Sequence, residues 1–261
     1  MDFSEQDDSA AEKGAYTLDR RCFIVGAGEF DGFLTVLPSG KFHMEPLLGR
    51  FREKSGVTAD ETLAVPGEGD LLIAADGGYR YLKNMGMEPD VLLGDFDSLE
   101  AVPEHRHLIR HSPIKDDTDM ALAVAYAEAE GIRTFFLYGG MGGRLDHTLA
   151  NLQLLTGMAR KGLKAWLIGQ GLVLTAVTNG CLLFPEQARG MLSVFCQGEQ
   201  ARGVYEHGLK YELEDAVLTC DRALGVSNEF TGAASSIEVK DGTLLVVWDA
   251  ANGLPRRELL R

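Results

Sequence analysis

Four acidic segments punctuate the first 150 residues: Ala74-Ala75-Asp76-Gly77-Gly78, Gly94-Asp95-Phe96-Asp97-Ser98, Lys115-Asp116-Asp117-Thr118-Asp119 and Gly142-Gly143-Arg144-Leu145-Asp146-His147. One such segment is an ordinary turn. Four at the ends of apolar runs suggest a single cluster of oxygen donors. Hard oxygen donors suit Mg²⁺ and the phosphates that accompany it. The chemistry implied is that of a nucleotide.

The spacing sharpens this. Asp95 and Asp97 are two residues apart, so in extended chain both carboxylates face one side and can share a cation. The same pair also reads as a turn with two solvated acids. Lys115, Asp116, Thr118 and Asp119 precede a helical pattern. Thr118 and the acids suit the positive end of its dipole, although a cap alone does not call for so many polar groups. Gly139, Gly140, Gly142 and Gly143 lead into a second helix, where free backbone N–H groups can wrap an anion. Arg144 follows, suited to bidentate contact with phosphate, then Asp146, His147 and, one turn on, Asn151. Asp76-Gly77-Gly78 reads equally as a strand-ending turn. Gly26-Ala27-Gly28 is a weak dinucleotide signal, because the next glycine, Gly32, falls one position late for GxGxxG. The chain contains no GxxxxGK[ST] loop, which argues against a P-loop kinase. Further on, Tyr211 is a ring able to stack on a flat heterocycle. Ser227 and Asn228 could bond that heterocycle's polar edge. An ordinary strand aromatic and an ordinary polar turn explain the same residues.

These residues need a scaffold. Apolar runs at 22–25, 71–75, 91–93, 134–138 and 165–168 lack strict alternation, as strands buried on both faces do; 107–110 is a shorter candidate. Helical patterns at 119–130 and 146–161 stop at Gly131 and Gly162. Repeated strand-then-helix predicts a mainly parallel sheet with helices on its faces. Ligands in such sheets bind beyond the carboxyl ends of the strands. After about 169 the pattern becomes short β runs at 172–177, 181–184, 191–196, 216–219, 236–239 and 243–248. That predicts a small all-β sandwich or barrel. The expected organisation is a polar tail over 1–20, an α/β nucleotide-binding catalytic domain over 21–170 and a β-sandwich domain over 171–261. The connection between Gly28 and Leu71 is long for one loop, with a candidate helix around 46–54.

At 261 residues, 45% hydrophobic and 25% charged, the composition is that of a soluble globular protein. The formal net charge of −14 offers no field to attract nucleic acid or an anionic membrane. Cys22, Cys181, Cys196 and Cys220 form no CxxC pair and read as reduced, mostly buried thiols. No apolar run reaches membrane-span length, and the acidic N-terminus is not a signal peptide. A cytoplasmic protein is expected.

In order and content, Asp76-Gly77-Gly78, Gly94-Asp95-Phe96-Asp97-Ser98, Lys115-Asp116-Asp117-Thr118-Asp119, Gly143-Arg144-Leu145-Asp146-His147, and Gly208-Leu209-Lys210-Tyr211 with Ser227-Asn228-Glu229 resemble the thiamine pyrophosphokinase (thiamine diphosphokinase) family. The resemblance spans roughly residues 22–248. It implies an α/β nucleotide domain followed by a β-sandwich, and a homodimer with the active site between subunits. The implied reaction moves the diphosphate of ATP onto the hydroxyethyl oxygen of thiamine, releasing AMP. On that reading Asp95, Asp97 and Asp119 hold Mg²⁺, and Arg144 offsets developing charge. Asp146 binds metal through water or orients the acceptor hydroxyl; Asp97 or Asp119 accepts its proton. Asp76, Gly77, Gly78, Lys115, Asp116, Thr118, Gly140, Gly143 and His147, with Tyr211, Ser227 and Asn228 in the C-terminal part, bind ATP and thiamine. Three departures stand out: the long segment after Gly28, the acidic tail, and Tyr211 where some members carry Trp. Competing readings are a diphosphokinase for another hydroxyalkyl heterocycle such as a pterin, a nicotinamide-dependent oxidoreductase, and a non-catalytic nucleotide or thiamine sensor.

Overall fold

The structure, a computed structural model, describes residues 20–36, 42–45, 64–96, 104–111 and 117–259. Asp97, Ser98, Lys115, Asp116, the N-terminal tail and the helix expected around 46–54 lie outside the described residues.

Six parallel strands form the N-terminal half: β1 (Arg21–Val25), β4 (Leu71–Ala75), β5 (Val91–Gly94), β6 (Leu108–Arg110), β7 (Thr134–Tyr138) and β8 (Lys164–Gly169). Their order across the sheet is β8-β7-β1-β4-β5-β6, with every adjacent pair parallel. β1, β4 and β5 are buried along their whole length, which explains their continuous apolar sequences. Successive side chains still alternate in space. Cys22 and Ile24 join one apolar cluster with Met120, Val124, Leu155 and Met158. Phe23 and Val25 join the other with Leu72, Leu82, Phe136 and Trp166. Phe23 and Phe136 stack on adjacent strands, with ring centroids 4.6 Å apart.

The first cluster is covered by α2 (Asp119–Ala129) and α3 (Leu145–Arg160). Thr118 caps α2, its hydroxyl accepting from the Ala121 N–H at 3.2 Å. Past each helix comes a glycine with positive φ, Gly131 and Gly162, as expected from sequence. A shorter helix, α1 (Gly78–Asn84), was not anticipated, because it opens on glycine and has no side-chain cap.

The long connection after β1 contributes a hairpin, β2 (Phe33–Val36) with β3 (Phe42–Glu45). Its described ends converge on one phenol. Buried Tyr138 accepts from the Leu34 N–H at 3.3 Å and donates to the Ala64 carbonyl at 2.5 Å. Burial pushes this phenol well above its ordinary range, so it stays neutral and can donate.

The C-terminal strands differ from the sequence expectation in one instructive way. The runs at 172–177 and 181–184 are a single strand, β9 (Leu172–Phe184). Those at 236–239 and 243–248 are likewise one strand, β14 (Ser235–Asp249). The turn-like residues between the runs kink continuing strands rather than ending them. Asn179 and Gly242 both have positive φ, and the Asn179 side-chain oxygen accepts from the Gly242 N–H at 3.0 Å. The β9–β14 ladder shifts register there.

Around this long pair, β14 pairs with β11 (Gln200–His207) along its first part and with β10 (Met191–Cys196) along its second. β12 (Leu213–Thr219) extends from β11, β13 (Gly225–Glu229) from β10, and β15 (Arg256–Leu259) from β9. Val194, Val204, Leu218, Ile237 and Val246 from these strands share one buried cluster. The β-rich part is not a detached sheet. β8 turns through Gln170 and Gly171, both with positive φ, to pair antiparallel with β9. All these strands belong to one 13-stranded sheet.

Cys22, Cys181 and Cys196 are buried and Cys220 is exposed, all as free thiols. Among the described residues no helix is long and apolar enough to cross a membrane.

Replacing Tyr138 by Phe leaves the Leu34 N–H and the Ala64 carbonyl without their partner. The expected cost is about 1–3 kcal/mol of unfolding free energy, read as a lower urea midpoint with an unchanged slope.

Candidate active site

The strand order creates the site. From β1 the chain runs outward through β4, β5 and β6, then returns to the other side of β1 for β7 and β8. The connections that follow β1 and β7 therefore lead to opposite sides of the sheet, and a crevice opens beyond the carboxyl ends of these strands. A cleft of about 490 Å³ lies there, within the roughly 300–1,000 Å³ common for small-molecule sites.

Three strand-end loops and two helix starts build its wall. Gly26, Ala27 and Gly28 follow β1, Asp76 follows β4 and Asp95 follows β5. Thr118 and Asp119 open α2, while Gly139, Gly140, Gly142, Gly143, Arg144 and His147 lead from β7 into α3. The two glycine loops are zipped together. Gly26 N–H donates to the Tyr138 carbonyl, Gly28 to Gly139 and Glu29 to Met141, each at 2.8 Å. Gly139 has φ +60°, and an added Cβ would overlap the Gly26 carbonyl, so this approach needs glycine. Gly94 serves a similar end. A Cβ there would lie 3.0 Å from the Asp76 Cα, so the glycine lets the ends of β4 and β5 bring Asp76 and Asp95 to the same cleft.

Of the residues singled out from sequence, Asp76, Asp95, Thr118, Asp119, Gly140, Gly143, Arg144 and His147 line this cleft. Gly77 and Gly78 do not: they start α1, with Gly78 packed against the Val25 carbonyl. Asp146 is not on the wall either. It holds Arg144 through two hydrogen bonds, 3.1 Å from Nε and 2.5 Å from Nη2, with both side chains largely exposed. The Arg144 hydrogen bond draws the Asp146 carboxyl below its usual range, and Asp146 raises the guanidinium in turn.

Two contributors were undervalued in sequence. Gly26-Ala27-Gly28 was discounted for want of a third glycine in register, yet it forms one wall. Asn151 is buried and donates to the Gly140 carbonyl at 2.7 Å. Its position one turn after His147 was the available signal.

Tyr211, Ser227 and Asn228 are not among the residues lining the cleft. Tyr211 is 61% exposed. Ser227 is exposed, its N–H donating to the Ser193 hydroxyl at 3.0 Å. Asn228 is buried, and its amide is spent inside the fold. Its oxygen accepts from Tyr211 N–H and Glu229 N–H, at 3.0 and 2.9 Å. Its nitrogen donates to the Tyr211 carbonyl and to Glu206 Oε2, both at 2.7 Å. Asn228, expected to bond a ligand's polar edge, instead clamps the backbone that carries Tyr211.

Among the described residues, no group of three or more His, Cys, Asp or Glu side chains is arranged to hold a metal ion. Mg²⁺ does not require one. It is commonly held by one or two carboxylates, with phosphate and water oxygens completing its shell. Asp76, Asp95 and Asp119 line the same cleft, where one or two of their carboxylates could serve in that way.

Residues 67–167 match the family pattern described as thiamin pyrophosphokinase, catalytic domain, and residues 182–244 match thiamin pyrophosphokinase, vitamin B1 binding domain. This chain belongs to the thiamine pyrophosphokinase family. The first pattern takes in the acidic loops and the 139–143 glycine loop of the cleft, and the second takes in Tyr211 and Asn228. The thiamine pyrophosphokinase of Bacillus subtilis is 27% identical over 195 residues, covering 69% of this chain and 87% of the relative. Thiamin pyrophosphokinase 1 of Caenorhabditis elegans is 26% identical, over 67% of this chain and 76% of the relative. The same fold is seen in the crystal structure of the B. subtilis protein, with a TM-score of 0.67 at 22% identity over 88% of this chain and 99% of that one. It recurs in the Candida albicans protein, with a TM-score of 0.63 at 13% identity over 90% and 89% of the two chains.

Asn151→Ala releases the Gly140 carbonyl and with it the glycine loop. A shift of about 1 Å at a positioning group can cost on the order of 100-fold in rate. The expected outcome is a drop of one to two orders of magnitude in ATP turnover (roughly, by the same principle), with the circular dichroism spectrum unchanged.

Proposed function

We propose that this chain is a thiamine diphosphokinase: it transfers the terminal diphosphate of ATP to the hydroxyethyl oxygen of thiamine, giving thiamine diphosphate and AMP. The observation that carries the reading is the single cleft at the strand-order reversal. There, glycine loops, an arginine and carboxylates from five separate segments converge, inside a chain of this family.

Phosphoryl transfer asks a protein for position and charge neutralisation more than for covalent chemistry, and the same applies to a diphosphoryl group. The glycine loop at 139–143 cradles phosphate oxygens through its N–H groups at the start of α3. Arg144, oriented by Asp146, meets negative charge that develops as the bond to AMP breaks. Asp95 and Asp119, with Asp97, are the residues to hold Mg²⁺. When bound, the ion would neutralise charge on the phosphates. The acceptor hydroxyl loses its proton to a carboxylate, with Asp97 or Asp119 in that role. Lys115 and Asp116, which closely precede Thr118 in the sequence, contribute to nucleotide binding.

Thiamine is held by the C-terminal region, with Tyr211 stacking on its aromatic ring and Ser227 beside it. Tyr211 is exposed and stands apart from the cleft wall. A homodimer that brings the Tyr211 face of one subunit to the cleft of its partner would complete the site. The pterin reading differs in the acceptor that this face selects, and the sensor reading differs in yielding no AMP.

The deciding experiment is AMP release from Mg²⁺-ATP with and without thiamine, with the product identified by mass. Thiamine-dependent AMP together with thiamine diphosphate is the expected result; ADP in place of AMP overturns diphosphoryl transfer. Asp119→Asn should lower kcat by roughly two to three orders of magnitude, the scale of losing one charge-stabilising group, while the fold is retained. Near-normal turnover in that variant would remove Asp119 from the metal site. Tyr211→Ala should mainly raise the KM for thiamine.

A further inference from the structure

A buried acid lies behind the acceptor-binding face and has no part in the phosphate chemistry. Glu206 on β11 is fully buried. Its register neighbours are Leu213 on β12 and Ile237 on β14, both apolar. One carboxyl oxygen, Oε2, accepts from Asn228 Nδ2 at 2.7 Å. The other, Oε1, has no hydrogen-bond partner among the described residues. A buried carboxyl with one oxygen unpaired is costly, and a leucine would fill the same space without that penalty.

What the acid touches suggests a use. Asn228 Nδ2 has two acceptors, Glu206 Oε2 and the Tyr211 carbonyl. Its oxygen has two donors, the N–H groups of Tyr211 and Glu229. Asn228 therefore grips both backbone polar groups of Tyr211, and Glu206 is the only side chain of the described residues shown holding the Asn228 amide from behind. We propose that Glu206 is a positioning residue for the acceptor, acting through Asn228 to fix the placement of the Tyr211 ring. The proposal rests on the reading that Tyr211 binds thiamine.

The position also makes the clamp sensitive to protonation. Burial pushes the Glu206 carboxyl up to about 7, and the Asn228 hydrogen bond opposes that rise. The titratable and charged groups on the surrounding elements are Arg202, Tyr205 and His207 on β11, Glu214 and Asp215 on β12, Glu229 on β13, Glu238, Lys240, Asp241 and Asp249 on β14, and Cys196 on β10. Lys210, Tyr211 and Glu212 lie in the intervening loop. None of them is a source of the Glu206 shift. With its folded value raised above the ordinary 4.5, Glu206 favours the fold fully below that ordinary value, and this contribution is lost as pH rises through about 7. The clamp runs the other way. Once ionised, the carboxylate accepts a charge-assisted and stronger bond from Asn228, so Tyr211 is held more firmly above pH 7 than below it.

The test measures thiamine KM and kcat between pH 6 and 8 for the wild type, Glu206→Gln, Glu206→Leu and Tyr211→Ala. Glu206→Gln keeps an acceptor for Asn228 and removes the titration. Glu206→Leu removes the acceptor. In Glu206→Leu the thiamine KM should rise roughly three- to tenfold, the scale of one buried hydrogen bond, with kcat and the KM for ATP unchanged. The ratio of wild-type to Glu206→Gln KM should fall as pH rises. A wild-type KM in Glu206→Leu, or a ratio that does not move with pH, overturns the proposal. The Gln comparison stands even if the Leu variant does not fold. A raised KM in Tyr211→Ala beside unaffected Glu206 variants defeats the role of Glu206 alone. An unchanged KM in Tyr211→Ala defeats the stacking reading, and with it this proposal.

Discussion

β1 lies between β4 and β7, hydrogen-bonded to both in parallel and buried on both faces. The rest of the structure depends on that placement. A central parallel strand must satisfy its backbone on two edges and needs covering layers above and below. It also forces the chain to leave β1 in one direction and return in the other. The crevice at β1 and β7 is a consequence of that routing, and the glycine loops and carboxylates need only lie at the strand ends to converge there. Gly139 against Gly26 and Gly94 against Asp76 show how tightly the strand ends approach.

The C-terminal half solves a different problem. Two long kinked strands, β9 and β14, carry the ladder onward from β8 and give their edges to β10, β11 and β15. This adds the surface that bears Tyr211 to the parallel sheet without a separate linker. Polar groups inside that half have set partners: the Thr178 and Thr243 hydroxyls meet at 2.8 Å, and Trp248 Nε1 donates to the Gly253 carbonyl at 2.8 Å. The unpaired oxygen of Glu206 departs from that pattern. It lies behind the clamp on Tyr211, where a small displacement would move an exposed ring.

The negative charge of the chain and its proposed anionic substrate are reconciled locally. On the proposed function, attraction for phosphate would come from backbone N–H groups at helix starts and from Arg144, short-range features that a net charge of −14 does not cancel. The acids on the cleft wall would repel a bare polyphosphate and suit one that arrives with a divalent cation.

The sequence by itself determined the strand-helix alternation, the helices beginning at Asp119 and near Leu145, and most of the cleft residues. These are local properties: apolar runs, caps, glycine stops and acidic residues at strand ends are written within a few positions of one another. It misread what depends on partners. Two strands were cut in half where the apolar runs break around Asn179 and Gly242, and only cross-strand pairing shows the chain continuing. Gly26-Ala27-Gly28 was set aside because its motif is incomplete, and only the approach of the β7 loop makes it a wall. Asn228 looked like a ligand contact, whereas burial beside Glu206 and Tyr211 makes it a clamp. Local pattern fixes which backbone conformations are favoured, but hydrogen-bond partners and burial are set by residues dozens of positions away, and only the tertiary structure decides them.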